Sequence, residues 1–241
     1  MSHSNNPETE LKAHWNLVKP TVLVFDVNET LINFESMNVL FERIFGEKRF
    51  MREWLGHLVM YSMTLTLSGL YKDYYSLGQG LLKMVGDIHG KTVTEGDLRE
   101  LKTGMMTMPA HDDVKEGLGL LKAAGYRLVS LTNSPPNPNG QTPLEHAGLT
   151  EFFEKEYSIE SALAYKPAAR VYHMVAQDLG VAPSACCMVA AHMWDTYGAQ
   201  STGFSGALIT RPGNAVLTLE GCPLPNYVAS DLVALAKTLK S

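Results

Sequence analysis

Residues Val22 to Leu31 read V-L-V-F-D-V-N-E-T-L, an apolar run that stops abruptly at Asp26. Four consecutive large apolar residues of β-forming type suit a strand buried on both faces of a parallel sheet. Open α/β sheets gather their ligands in the crevice beyond the carboxyl ends of such strands. Asp26 therefore stands where a reacting carboxylate would be placed. Thr30, four residues on, supplies a hydroxyl in the same turn.

Further along the chain the pattern repeats. Apolar runs at Tyr126–Leu131, Ala185–Ala190 and Ala207–Ile209 are predicted strands, with Phe153–Ser158 a weaker candidate. Helical patterns lie between them, at Val114–Ala124 ending on Gly125 and at Pro167–Leu179 ending on Gly180, as βαβ units require. The expected fold class is α/β, a doubly wound parallel sheet. Residues 33–108 interrupt the alternation with four helical patterns, Ser36–Phe45, Phe50–Ser68, Ser76–His89 and Glu95–Thr107, and no convincing strand. They predict an inserted all-α cap over Asp26, leaving residues 1–32 and 109–241 to form the core. Ser134–Pro143 is a turn-rich loop on the same functional edge.

The bulk properties narrow the function. The chain has 241 residues, 45% hydrophobic and 19% charged, enough for one core and a smaller lobe. A net charge of -5 gives no basic field for nucleic acid or an anionic membrane surface. The polar opening Met1–Glu8 carries no signal-peptide pattern, and no apolar stretch reaches spanning length. Three cysteines, Cys186 and Cys187 adjacent, make no disulfide framework, so a cytoplasmic location is expected. Gly203–Ala207 misses the serine-hydrolase elbow, and Gly117-Leu118-Gly119 precedes its strand and lacks a third glycine.

Four strand-end positions belong together: Asp26, then Thr132-Asn133, then Lys166-Pro167, then Asp195. A doubly wound sheet can bring all four to one crevice. The series F-D-x-x-x-T-L (Phe25–Leu31), T-N (Thr132–Asn133), K-P-x-x-x-x-Y (Lys166–Tyr172) and W-D-x-x-G-A (Trp194–Ala199) resembles the haloacid dehalogenase superfamily. Within it, the chain is similar to the type II 2-haloacid dehalogenases over essentially its whole length.

That resemblance implies a set of roles. Asp26 attacks carbon and forms an ester, which water then hydrolyses. Thr30 orients Asp26. Lys166 keeps Asp26 ionised and steadies the ester. Asp195 partners Lys166 or orients water, and His192, where dehalogenases usually carry asparagine, polarises the ester or the water. Thr132, with the N–H groups of Val27 and Asn28, binds the substrate carboxylate. Asn133, Tyr172, Trp194 and Leu55 complete the substrate site, Tyr172 being equally readable as a core aromatic. The implied partners are a small carboxylic acid and a second copy of the chain, with no cofactor.

Two substitutions bear on the reaction class. Phosphoryl transfer in the superfamily asks for carboxylates around Mg²⁺, yet this chain has Asn28 and Ala191 at two such positions. Metal-free displacement at carbon is expected instead. Type II dehalogenases also present a cap arginine to the departing halide. Matching Trp54 and Tyr61-Ser62 to that segment puts Leu55 at the arginine position, with Arg52 three residues earlier on the same helix. Either the halide is stabilised by Asn133, His192 or Arg52, or the leaving group is an amine, as in ring opening of azetidine-2-carboxylate. The competing class is a binding protein on the same scaffold.

Overall fold

The computed structural model describes residues 19–137 and 140–240; the opening Met1–Glu8 segment and Pro138-Asn139 of the proline-rich loop lie outside these. Six strands form one parallel sheet: β1 (Val22–Phe25), β2 (Arg127–Thr132), β3 (Lys155–Ser158), β4 (Cys186–Ala190), β5 (Ser205–Ile209) and β6 (Tyr227–Ala229). Their order is β3-β2-β1-β4-β5-β6. The chain winds outward from β1 through β2 and β3, then returns to β4 and winds the other way. The switch point is the crevice between β1 and β4. Phe25 pairs with Ser130 on one side and Val189 on the other, so Asp26 emerges level with the end of β4. Its own N–H donates to Val189 O at 3.0 Å.

All residues of β1 and β4 are buried, because helices cover both faces of the sheet. The predicted strands sit within two residues of the observed ones. β6 escaped prediction, as did the helices Pro143–His146, Met193–Gln200 and Leu232–Lys240. Tyr227–Ala229 is a three-residue edge strand, too short to show a period.

Between β1 and β2 run four helices: α1 (Asn38–Phe45), α2 (Arg49–Leu67), α3 (Tyr74–Ile88) and α4 (Glu95–Thr107). Local chemistry explains their ends. Gly46 takes the left-handed conformation after α1, Asp73 accepts from Ser76 N to start α3 earlier than expected, and Thr94 with Asp97 closes a capping box on α4. Residues Phe34–Met37 form a separate 3₁₀ turn, so Ser36 and Met37, expected at the start of α1, lie outside it. Trp54 is fully buried on α2 and donates its indole N–H to Gly78 O at 2.9 Å. The outgoing and returning chains meet where Asn33 N donates to Pro109 O (2.8 Å) and His111 N to Leu31 O (3.0 Å). The helical segment is also tied to the sheet side: Tyr165 N donates to Thr66 Oγ1 and Tyr165 OH to Lys72 O.

Five more α-helices follow among the described residues: α5 (Val114–Ala123), a single turn α6 (Pro143–His146), α7 (Ala169–Asp178), α8 (Met193–Gln200) and α9 (Leu232–Lys240). Pro167 stands before α7 rather than inside it, because Ala168 is the capping residue. Among the described residues no helix is long and apolar enough to cross a membrane.

Helix α8 comes close to the Lys166-Pro167 segment through Gly198. A Cβ at that position would lie 2.5 Å from Pro167 Cβ, 2.9 Å from Pro167 Cα and 2.7 Å from the Tyr172 hydroxyl. Gly198→Ala is expected to destabilise the protein, because overpacking of about 1–3 kcal/mol outweighs the ~1 kcal/mol gained by replacing a helical glycine. Gly80→Ala on α3, where an added Cβ meets nothing within 4 Å, is expected to stabilise. Urea midpoints of opposite sign for the two variants are the check.

Candidate active site

Lys166 is fully buried, and its ammonium has three acceptors: Asp195 Oδ2 at 2.6 Å, Asp26 Oδ1 at 2.7 Å and Leu131 O at 3.0 Å. All three ammonium protons are thus used. Asp195, in the first turn of α8, also accepts from the Tyr172 hydroxyl at 2.6 Å. Asp26 accepts a second bond at Oδ2 from Thr30 Oγ1 at 2.6 Å. The Thr30 oxygen itself accepts from Ala191 N at 2.8 Å, which locks its hydroxyl toward Asp26.

Electrostatics follow from this packing. Burial pushes the Asp26 carboxyl up, but Lys166 and His192 outweigh it and hold the group at about 2. Burial pulls Lys166 down, and the Asp195 and Asp26 charges more than restore it, so it stays cationic. Asp195 moves up through burial, opposed by Lys166 and aided by Asp26. One cation between two carboxylates thus moves their carboxyl groups in opposite directions, Asp26 down and Asp195 up.

The cavity over Asp26 is lined by Asn28, Glu29, Phe34, Leu55, Val59, Tyr74, Asn133, His192 and Trp194. It is tight, about 10 Å³, room for about one water molecule. Asn133 Oδ1 accepts from Lys166 N at 3.4 Å, leaving its NH₂ as a donor. Asn28 Nδ2 donates to Ser134 Oγ at 3.3 Å. Leu55 and Trp194 stand in the wall.

Three sequence-derived positions differ from expectation. Tyr172 is fully buried and its hydroxyl serves Asp195, so it supports the lysine pair from behind and does not line the cavity. Thr132 Oγ1 accepts from Ser134 N, and Thr132 with Val27 lines a neighbouring cavity of about 110 Å³ instead. The cause is strand alternation: Thr132 is the last residue of β2, and its side chain projects to the other face from Asn133. Arg52 is not free to meet a leaving group. Its guanidinium donates to Glu29, to Glu35 Oε1 at 2.5 Å and to Pro212 O at 3.0 Å.

Glu29 was passed over in the sequence. It is 4% exposed, adopts φ 70° and places its carboxylate against His192, Arg52 and Asn214. A non-glycine residue in this region is strained by roughly 1–3 kcal/mol, a cost seen mostly at functional sites. Its lowered carboxyl follows from burial being outweighed by His192 and Arg52. His192 Nε2 lies 2.6 Å from Glu29 Oε2, and its Nδ1 lies 3.6 Å from Asp26 Oδ2. Burial would lower the imidazole, but Asp26 and Glu29 push it up to about 9. The signal in the sequence is an acid among the three residues between Asp26 and Thr30.

The sequence model of the haloacid dehalogenase-like hydrolases matches residues 20–203. The chain belongs to that family. It is 32% identical to (S)-2-haloacid dehalogenase 1 of Pseudomonas sp. (strain CBS-3) over 66% of this chain and 69% of that protein. To (S)-2-haloacid dehalogenase 4A of Burkholderia cepacia it is 29% identical over 73% and 76% of the two chains. A solved dehalogenase with an intermediate complex superposes with a TM-score of 0.82 at 25% identity, covering 92% of this chain and 98% of that one.

Some members of a hydrolase family such as this hold a hard cation at the strand ends, which asks for several charged oxygens. Here the two strand-end carboxylates, Asp26 and Asp195, share the Lys166 ammonium, and Asn28 and Ala191 add no charge. Among the described residues no three His, Cys, Asp or Glu groups converge as a ligand set. This donor set does not fit a divalent ion.

The raised His192 value ties stability to pH. Its ion pairs contribute fully below the unfolded value of 6.5 and are lost as pH rises through about 9. The stability gap between the wild type and His192→Asn is therefore expected to shrink by on the order of 3 kcal/mol from pH 6 to pH 10. Guanidinium unfolding at stepped pH measures it, and a pH-independent gap contradicts the assignment.

Proposed function

We propose that this haloacid dehalogenase-like hydrolase acts on a small 2-substituted carboxylic acid, with Asp26 attacking C2 and no metal taking part. The observation that carries this is the buried Lys166 ammonium, 2.7 Å from Asp26, which keeps that carboxylate ionised at the floor of a water-poor cavity. In such surroundings a carboxylate is poorly hydrated and correspondingly nucleophilic. An Asp26 oxygen bonds to C2, the bond from C2 to the leaving group breaks, and that group departs with the electron pair. Water then adds to the Asp26 ester carbonyl and releases the 2-hydroxy acid. Thr30 holds the second oxygen in line, and the Asn133 amide with the turn after Asp26 receives the substrate carboxylate. Residues 33–108 act as the cap that closes the cavity from above.

The named relatives favour a carbon–halogen bond, since both are (S)-2-haloacid dehalogenases. Specific features of the cavity favour a second choice, an amine. Leu55 lines the wall, Arg52 is engaged by Glu29 and Glu35, and the buried Glu29 carboxylate faces the same space. A departing halide finds no uncommitted arginine there and is left with His192 and Asn133 as donors, whereas an amine leaving group, as in azetidine-2-carboxylate, needs no such arginine.

Turnover in ¹⁸O water with EDTA present, using 2-chloropropionate and azetidine-2-carboxylate side by side, tests both points. Label is expected in Asp26 after repeated turnover, and Asp26→Asn is expected to lose at least about 10³-fold in kcat. Loss of activity in EDTA with recovery in Mg²⁺ would sink the metal-free mechanism. Leu55→Arg is expected to shift the kcat/KM ratio toward the chloro acid if the wild type prefers the amine.

A further inference from the structure

The cavity of about 110 Å³ next to the reaction cavity takes no part in the chemistry above. Among the described residues the two share no lining side chain. Strand alternation separates them: Val27, Thr132 and Ser158 border this one, where Asp26 and Asn133 border the other. Its walls are largely apolar, built from Val27, Pro135, Pro143 and Leu144, and Pro136 on the rim is exposed. One carboxylate reaches it, that of Glu156 on β3, and Glu156 Oε1 is buried without a hydrogen-bond partner. Glu156 Oε2 accepts from Thr142 Oγ1 at 3.5 Å. Ser130 on β2, in register with Glu156, has a buried hydroxyl that is likewise unpartnered. Buried polar atoms left unpaired are costly, and a charged one most of all.

The chain supplies no counter-charge there. Among the described residues no Lys, Arg or His lines the cavity, and the cations of β2 and β3, Arg127 and Lys155, are paired with Glu154 and Asp178. The surrounding hydroxyls offer lone pairs: Thr142 donates its proton to Glu156, and Ser158 donates its own to Ser134 O at 2.8 Å. Acceptors and a negative charge against apolar walls ask for a positively charged donor on a short hydrocarbon. We infer that this cavity binds a small primary alkylammonium ion, with the ammonium on Glu156 Oε1 and the chain along Val27, Pro143 and Leu144. Its volume of about 110 Å³ is the share of roughly three or four water molecules, which suits a chain of a few carbons. Glu156 repels a carboxylate, so this site is distinct from the one that receives an acid beside Asp26. Ser134 links the two, since it lines this cavity and accepts from Asn28 Nδ2 at 3.3 Å, while Asn28 lines the reaction cavity. Occupancy therefore acts on a side chain that borders the reacting carboxylate. The site is independent of the ester mechanism and of the leaving group.

The test is an NMR titration of methyl- and amide-labelled protein with n-butylammonium chloride. The Val27 and Leu144 methyl signals and the Asn28 side-chain amide are expected to move together and to saturate. Butan-1-ol keeps the chain without the charge, and potassium chloride keeps a charge without the chain. Each is expected to bind at least about 10-fold more weakly than butylammonium. Glu156→Gln, shown to be folded by its urea midpoint, is expected to lose at least about 10-fold in butylammonium affinity. Equal binding of butan-1-ol reduces the site to an apolar pocket and overturns the proposal. So does unchanged affinity in the folded Glu156→Gln, or the absence of saturable shifts at Val27 and Leu144. Potassium chloride producing the same shifts assigns the cavity to an inorganic cation and overturns it as well. A stationary Asn28 amide, with both methyl signals moving, overturns the link to the reaction cavity.

Discussion

A fully buried lysine ammonium, bonded to two aspartates and a carbonyl, is the constraint around which this protein is built. Taking such a charge out of water carries a penalty of several kcal/mol, which only well-placed partners repay. Removing one partner leaves an uncompensated charge, so each of Asp26, Lys166 and Asp195 enforces the position of the others. They come from three separate parts of the chain: the end of β1, the segment before α7, and the first turn of α8. Their meeting requires the parallel sheet to switch direction between β1 and β4, and requires Gly198 to let α8 approach Pro167 closely. The Tyr172 hydroxyl and the Thr30 hydroxyl then occupy the remaining acceptor positions on the two carboxylates.

On the open side of Asp26 a second ionic chain runs His192–Glu29–Arg52–Glu35. It joins α2 of the helical segment to the turn after β1 and, through Pro212 O and Asn214, to the loop after β5. The two chains do different physical work. The first holds the Asp26 carboxylate ionised, and the second sets the His192 imidazole beside the same carboxylate. Arg52 serves as the counter-charge that makes a buried Glu29 tolerable, and this duty removes it from contact with a leaving group.

Much of this organisation was legible along the chain. The apolar runs that became β1, β2 and β4 stood out because strands buried on both faces read as unbroken hydrophobic stretches. The helical segment between β1 and β2 followed from the loss of strand signals, while the capping by Asp73, Thr94 and Asp97 was seen only in the structure. Asp26, Thr30, Lys166 and Asp195 lay at the strand ends where a doubly wound sheet converges. β6 stayed hidden, since three residues on an edge carry no periodicity. Thr132 and Tyr172 were misdirected for a related reason: a one-residue step in a strand or a turn of helix decides which side of the sheet a side chain serves, and spacing alone does not resolve it.

The amino-acid sequence by itself determined the layering, the carboxylate at the end of β1 and the absence of acids at positions 28 and 191, because these depend on local residue type at strand ends. Tertiary structure alone decided the partnerships. Glu29 is an unremarkable letter between Asn28 and Thr30 until folding brings His192 from 163 residues away and Arg52 from 23 residues away to its carboxylate. A buried charge has meaning only through its neighbours, and in a parallel sheet those neighbours arrive from distant crossovers.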